Sequence, residues 1–291
     1  MNLSELKQEY LNYLHYEALS SENTITNRRS EMNIFVREME KQGLETIEEI
    51  HTSHLRAFIS QLRTEKGYQP VSICNVISGL RSFYSFAVKK GHVADDISQK
   101  IKKPQLEQTE IEHFTWDEVE RIFLAVPRNA SYVRNLCLLL FLYYTGIRME
   151  ELSQVKQSDL SHDLDELYVE KGKGDKSRYL PLHPLLQKAL KVHLKSRKVQ
   201  NSLWLFPGRD GDKPLSKSRI YRIVREMGEL AGVEKRVSPH TFRHSFATHL
   251  HEQGVDVFRL MQLLGHVNIE KTAIYTHIKD KELMETVSWL E

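Results

Sequence analysis

Seventeen residues at 130–146, ASYVRNLCLLLFLYYTG, are apolar on nearly every face of a helix. A surface helix carries one apolar stripe, whereas a helix apolar all round must be enclosed by other elements. The unbroken apolar part, 136–144, is roughly half the length of a membrane span. This segment is therefore expected to be the central buried helix of a globular domain. A chain of 291 residues has room for two such domains. Its 40% apolar content and mixed charge fit a soluble protein. The N-terminus, MNLSELKQEYL, has no apolar signal region. Cys74 and Cys137 sit among apolar residues, which favours reduced thiols over a disulfide. A cytoplasmic location is expected.

The first hundred residues show helical periodicity and no alternation. Helices are expected at 3–19, 23–42, 52–66 and 70–90, with Gly43, Gly67 and Gly91 as stops. The stretch IKKPQLEQTEIEHF is polar, contains Pro104 and has no apolar period, so it reads as a linker. Thr115 is a natural N-cap for WDEVERIFLAV. After the buried helix a short one is expected at 149–156. The period then changes in DELYVEKGKGDKSRYLPL, which reads as a β-hairpin with glycines in its turn. Helices follow at 184–199, 216–231, 239–253, 256–264 and 268–276, then a short tail helix. The expected fold is mainly α: an all-helical N-terminal domain, 1–103, a linker, 104–114, and a mostly helical C-terminal domain with a small hairpin, 115–291.

Net charge is only +2, but the charge is unevenly spread. Residues 1–55 hold five Lys/Arg against ten Asp/Glu, 56–103 hold nine against three, and 171–225 hold fifteen against three. Such segments are either solvated helix faces or a side that meets a polyanion.

The last half of the chain carries residues with matching chemistry. In SPHTFRHSFATHL, Ser238 is an N-cap and Pro239 a first-turn proline. His240 and Arg243 are three apart and share a face, with Phe242, Phe246 and Leu250 as the core-facing stripe. Arg148 follows Thr145-Gly146 just beyond the buried helix. Its planar guanidinium suits phosphate oxygens, and Glu151, three residues on, is either its buried partner or its brace. Lys173 lies in the glycine-flanked turn EKGKGDKSR and can protonate a departing alkoxide. His266 follows Gly265, and Tyr275 stands nine residues further, in IEKTAIYTHI. A phenol of ordinary pKa is ionised to only about one part in a thousand at pH 7, so it needs a base and neighbouring cations to act as a nucleophile. The dense histidines His240, His244, His249, His251 and His266 raise a zinc reading. No HExxH or CxxC pattern accompanies them, and no metal is expected.

TGIRMEEL, GKGDKSRYLPL, HTFRHSFATHL, LLGH and IYTH, in this order and spacing, resemble the motifs of the tyrosine recombinases, in particular the simple two-domain Xer-like subgroup. The match covers about 140–280, and the N-terminal part and LWLFPG extend it over nearly the whole chain. The resemblance implies site-specific recombination of DNA without ATP, metal or other cofactor. Arg148 and Arg243 would bind the non-bridging oxygens of the scissile phosphate. His240 would act as base and donor, His266 as a second donor, Lys173 as general acid, and Tyr275 would form a 3′-phosphotyrosine. Strand exchange would pass through a Holliday junction.

The N-terminal domain would be a SAM-like core-binding module. Its candidates for DNA contact are Thr24, Asn27, Arg28, Ser72, Asn75 and Arg81. The implied partners are duplexes carrying short inverted-repeat core sites and a homo- or hetero-tetramer assembled on two of them. Since the chain opens at this domain, the arm-site module of some phage integrases is expected to be missing. After Tyr275 sixteen residues remain; Leu283, Val287 and Leu290 fall near one helical face beside Trp289, and this tail is expected to dock on a neighbouring subunit. The rival readings are a type IB topoisomerase-like relaxing enzyme and a catalytically idle DNA-binding protein on the same fold.

Overall fold

The computed structural model describes residues 1–106, 112–170, 177–197 and 199–265. They are mainly helical and form two compact units, divided between Thr109 and Glu110. The chain on either side of the division belongs to different cores. Ile101 and Pro104 are held by the first unit, through Arg81 Nη2 donating to the Ile101 carbonyl and Cys74 Sγ to the Pro104 carbonyl. His113 and Phe114 are held by the second. Lys235 Nζ donates to the His113 carbonyl, and the Phe114 N–H donates to Ser245 Oγ.

The first unit consists of α1 (Leu3–Asn12), α2 (Glu22–Lys41), α3 (Thr52–Thr64) and α4 (Pro70–Lys89). Asn2 and Glu5 cap the start of α1 reciprocally, and Pro70 opens α4 where its missing N–H costs nothing. The core is aromatic: Tyr10 packs on Phe83 with centroids 5.4 Å apart, and Phe35 on Phe58 at 5.5 Å. Long and apolar enough to cross a membrane, α4 instead lays Ile77, Leu80, Phe83 and Phe86 into this core. The first helix does not run on to residue 19. Tyr13–Glu17 form a wider π-type turn, in which the Ala18 N–H donates to the Tyr13 carbonyl. Widening the turn lets Tyr13 lie on Phe86, at 5.0 Å, while Leu14 stays buried.

The second unit contains α5 (Trp116–Leu124), α6 (Tyr132–Thr145), α7 (Met149–Ser153), the strands β1 (Glu166–Val169) and β2 (Arg178–Pro181), α8 (Pro184–Ser196), α9 (Lys217–Leu230), α10 (Pro239–Glu252) and α11 (Val257–Leu264). As the apolar run requires, α6 is the central helix. Cys137, Leu138, Leu139, Phe141 and Leu142 have no exposed surface, and α5, α8 and α10 pack around them. Cys137 is buried and Cys74 half-buried, and both are free thiols. The hairpin pairs Leu167 with Leu180 and Val169 with Arg178; Leu167, Val169 and Leu180 face the core.

Two helices stop short of their expected ends. At Ser153 α7 closes, because Val155 is recruited to the backbone of Leu205, whose N–H it accepts at 2.8 Å. The chain leaves α8 at Arg197, whose guanidinium donates to the carbonyls of Trp204 and Gln200, both at 2.8 Å.

Candidate active site

Ser238 Oγ accepts the Thr241 N–H at 3.2 Å and fixes the start of α10. From this first turn His240 remains exposed, but Arg243 does not share a solvated face with it. Arg243 is 3% exposed, and its Nη1 and Nη2 donate to the carbonyls of Gly146 and Leu264, both at 2.6 Å. Those carbonyls end α6 and α11, where helices leave acceptors unsatisfied and carry partial negative charge. One guanidinium thus fastens two helix C-termini, which fixes its plane. Gly146 permits this geometry. Its φ is +57°, and a Cβ there would run into the Phe246 ring.

The expected apolar stripe on α10 is also revised. Phe242 is in the core, edge-on to Phe114 at 5.1 Å. Phe246 and Leu250 are only half-buried. They line a largely apolar cavity of about 520 Å³ shared with Trp116, Tyr144, His183 and Leu263. His249, next to Leu250 in the chain, is buried instead. Its Nε2 donates to the Phe114 carbonyl and its Nδ1 accepts the Tyr143 hydroxyl, both at 2.8 Å, with Trp116 stacked on the ring.

Arg148 is the N-cap residue of α7 and its side chain is 26% exposed. Its backbone N–H donates to Glu151 Oε2 at 2.9 Å and its Nη1 to Oε1 at 3.1 Å. Glu151 is therefore both the ion-pair partner and the brace of Arg148. The same carboxylate takes a two-pronged contact from Arg178 on β2, Nη1 to Oε1 and Nη2 to Oε2, each 2.9 Å. Burial works to raise the Glu151 carboxyl. The Arg178 hydrogen bonds and charge, together with the Arg148 N–H and guanidinium, outweigh it and hold Glu151 below the ordinary carboxylate range.

The charges of Arg148 and Arg243 meet at His240. Partial burial of the ring, in a residue that still reaches solvent, then Arg243, then Arg148 push its pKa below the ordinary histidine value, against a weaker opposing pull from Glu150. His244 lies edge-on to His240 with ring centroids 4.3 Å apart. Burial, then His240, Arg243 and His113, bring His244 down to about 4. Both shifts favour the neutral imidazole, the form that can take up a proton.

The structure thus brings together Arg148, Glu151, His240 and Arg243. Lys173, His266, Tyr275 and the tail residues Leu283, Val287, Trp289 and Leu290 lie outside the described residues. Arg178 was not among the sequence candidates. The signal was present: strand alternation puts it on the same face as Leu180, and a charge facing a core needs a partner. Among the described residues, no three His, Cys, Asp or Glu side chains form a group able to hold a metal.

In the first unit, Thr24, Asn27, Arg28, Ser72 and Asn75 line one groove of about 440 Å³ between α2 and α4. Arg28 Nη1 pairs with Glu31 at 2.6 Å and also donates to the Asn75 carbonyl at 3.4 Å. A Cβ on Gly79 would collide with this pair, so the glycine lets the two helices close on it. Arg81 stands apart from these five, with its guanidinium on the Ile101 carbonyl at 2.9 Å.

Comparison with known proteins identifies the family of this two-unit helical chain. Residues 112–282 match the phage integrase family and residues 8–91 its N-terminal SAM-like domain. The chain belongs to the phage integrase family, the tyrosine recombinases. It is 33% identical to the tyrosine recombinase XerD of Corynebacterium glutamicum, over 98% of this chain and 97% of that one. It is 32% identical to XerA of Pyrococcus furiosus, over 98% and 93%. Among solved structures it resembles the pre-cleavage complex of the XerH site-specific recombinase bound to its difH substrate. The TM-score is 0.74 at 25% identity, covering 92% of this chain and 79% of that one.

Proposed function

We infer that this chain is a site-specific DNA recombinase that breaks and rejoins strands through Tyr275. The observation that carries the reading is geometric: Arg243, one turn after His240 on α10, is seated on the ends of α6 and α11, and Arg148 is braced by Glu151. Each guanidinium is fixed before any substrate arrives, so little reorganisation is needed when charge grows on the phosphorus. In this reading the Tyr275 oxygen bonds to phosphorus as the bond to the 5′-oxygen breaks. His240 takes the phenol proton and Lys173 gives one to the leaving oxygen, while His266 donates to the phosphoryl group. The phosphodiester energy is kept in the 3′-phosphotyrosine, and the 5′-hydroxyl of a partner strand reverses the step. Thr24, Asn27, Arg28, Ser72 and Asn75 would face the duplex, and a tetramer on two duplexes with short inverted-repeat sites would carry out both rounds of exchange.

A two-site assay tests this. Incubation with two duplexes carrying the same paired half-sites is expected to give recombinant strands and Holliday junctions. Relaxation of supercoiled DNA without exchange would instead mark a solitary topoisomerase-like enzyme, and site binding without cleavage an idle DNA-binding protein. Truncation after residue 279 should leave binding to a single half-site nearly intact and weaken cooperative filling of the pair. Undiminished cooperativity would remove the tail from the assembly.

The acid role of Lys173 is separable from phosphate binding. Replacing the 5′-bridging oxygen with sulfur gives a leaving group that needs no proton. Lys173→Ala should cleave that substrate at nearly the wild-type rate, whereas Arg148→Ala should stay impaired on it. Equal rescue of both variants, or of neither, would assign the acid elsewhere.

A further inference from the structure

Arg178 sits where a strand of this hairpin should carry an apolar side chain. It pairs with Val169 across the hairpin, shares its face with Leu180, and its side chain is only 7% exposed. A buried ion pair adds little to stability, and well-packed apolar residues often replace one at no cost. Its contacts suggest another reason for its presence. Nη1 and Nη2 take both oxygens of Glu151, and Nε donates to the Leu263 carbonyl at 2.9 Å. Three elements therefore meet on one rigid plane. They are the strand β2, the start of α7 with Arg148, and the end of α11, whose next carbonyl, Leu264, holds Arg243. Gly265 belongs to the same arrangement. Its φ is +68°, and a Cβ there would stand 2.8 Å from Arg178 Nη1.

We propose that Arg178 is a positioning residue, which sets the Arg148 guanidinium through Glu151 and ties it to the helix end that seats Arg243. The proposal rests on the reading that Arg148 binds the scissile phosphate. Lysine in place of Arg178 keeps the charge but loses both the planar fork and the Nε donor. Without that fork, Glu151 is free to follow Arg148 rather than fix it.

The test is a double-mutant cycle on single-turnover cleavage of a nicked half-site substrate, with half-site binding measured alongside. Arg178→Lys should bind within about twofold of wild type and cleave about ten- to a hundredfold more slowly. In an Arg148→Ala background the same change should cost less than about twofold, because the group it acts through is already gone. If Arg178→Lys is too unstable to bind, Arg178→Gln, which keeps two side-chain donors, is carried through the same cycle. Wild-type cleavage by the single variant, or an undiminished penalty in the Arg148→Ala background, would overturn the proposal while leaving the phosphate-binding reading intact. Wild-type cleavage by Arg148→Ala itself would instead overturn that reading.

Discussion

Arg243→Ala is expected to slow single-turnover strand cleavage by about 10²–10³, the usual cost of removing one preorganised donor from a desolvated transition state. Half-site binding should fall far less, because many contacts to the duplex backbone share that energy. The variant should also be less stable. Arg243 is 3% exposed, and its loss strands the Gly146 and Leu264 carbonyls inside the protein. Leaving a buried acceptor unpaired costs about 1–3 kcal/mol. Arg148→Ala makes the useful contrast, because its side chain is 26% exposed and pairs with Glu151. It should lose cleavage to a similar degree with a smaller change in thermal unfolding. Cleavage by Arg243→Ala at the wild-type rate, with binding intact, would remove Arg243 from the chemistry and leave it a purely structural clasp.

How much of this was legible in the sequence depended on the range of each interaction. The cap at Ser238 and the enclosed helix within 130–146 rest on local chemistry, and both appear in the structure, the helix as 132–145. The pairing of Arg148 with Glu151 spans three residues and was equally readable. The seat of Arg243 was not, because its partners are backbone carbonyls 97 and 21 residues away, and carbonyls leave no mark in a sequence. The same holds for Arg81, whose partner is the Ile101 carbonyl. The break after α1 was hidden for a different reason. Tyr13 and Leu14 both needed to face inward, and a pattern read at a fixed helical period continues through such a widened turn. Arg178 was legible in principle, through the alternation of β2, but it had to be read as an inward position before its charge became informative.

The central claim is that Tyr275 is the nucleophile of a covalent strand transfer. In the proposed reading, His240, whose pKa is pushed below the ordinary histidine value, accepts the phenol proton, and the two braced guanidiniums of Arg148 and Arg243 stabilise the phosphate. At an ordinary pKa of about 10 a tyrosine is almost wholly protonated at pH 7, so the reaction depends on that assistance. The most direct measurement is formation of a protein–DNA adduct on a nicked suicide substrate, resolved under denaturing conditions. Wild-type protein should give a covalent adduct joined to the 3′-phosphate, with peptide mapping placing it on Tyr275. Tyr275→Phe should bind the same site with unchanged affinity and form none. An adduct that persists in Tyr275→Phe, or that maps to another residue, would contradict the account.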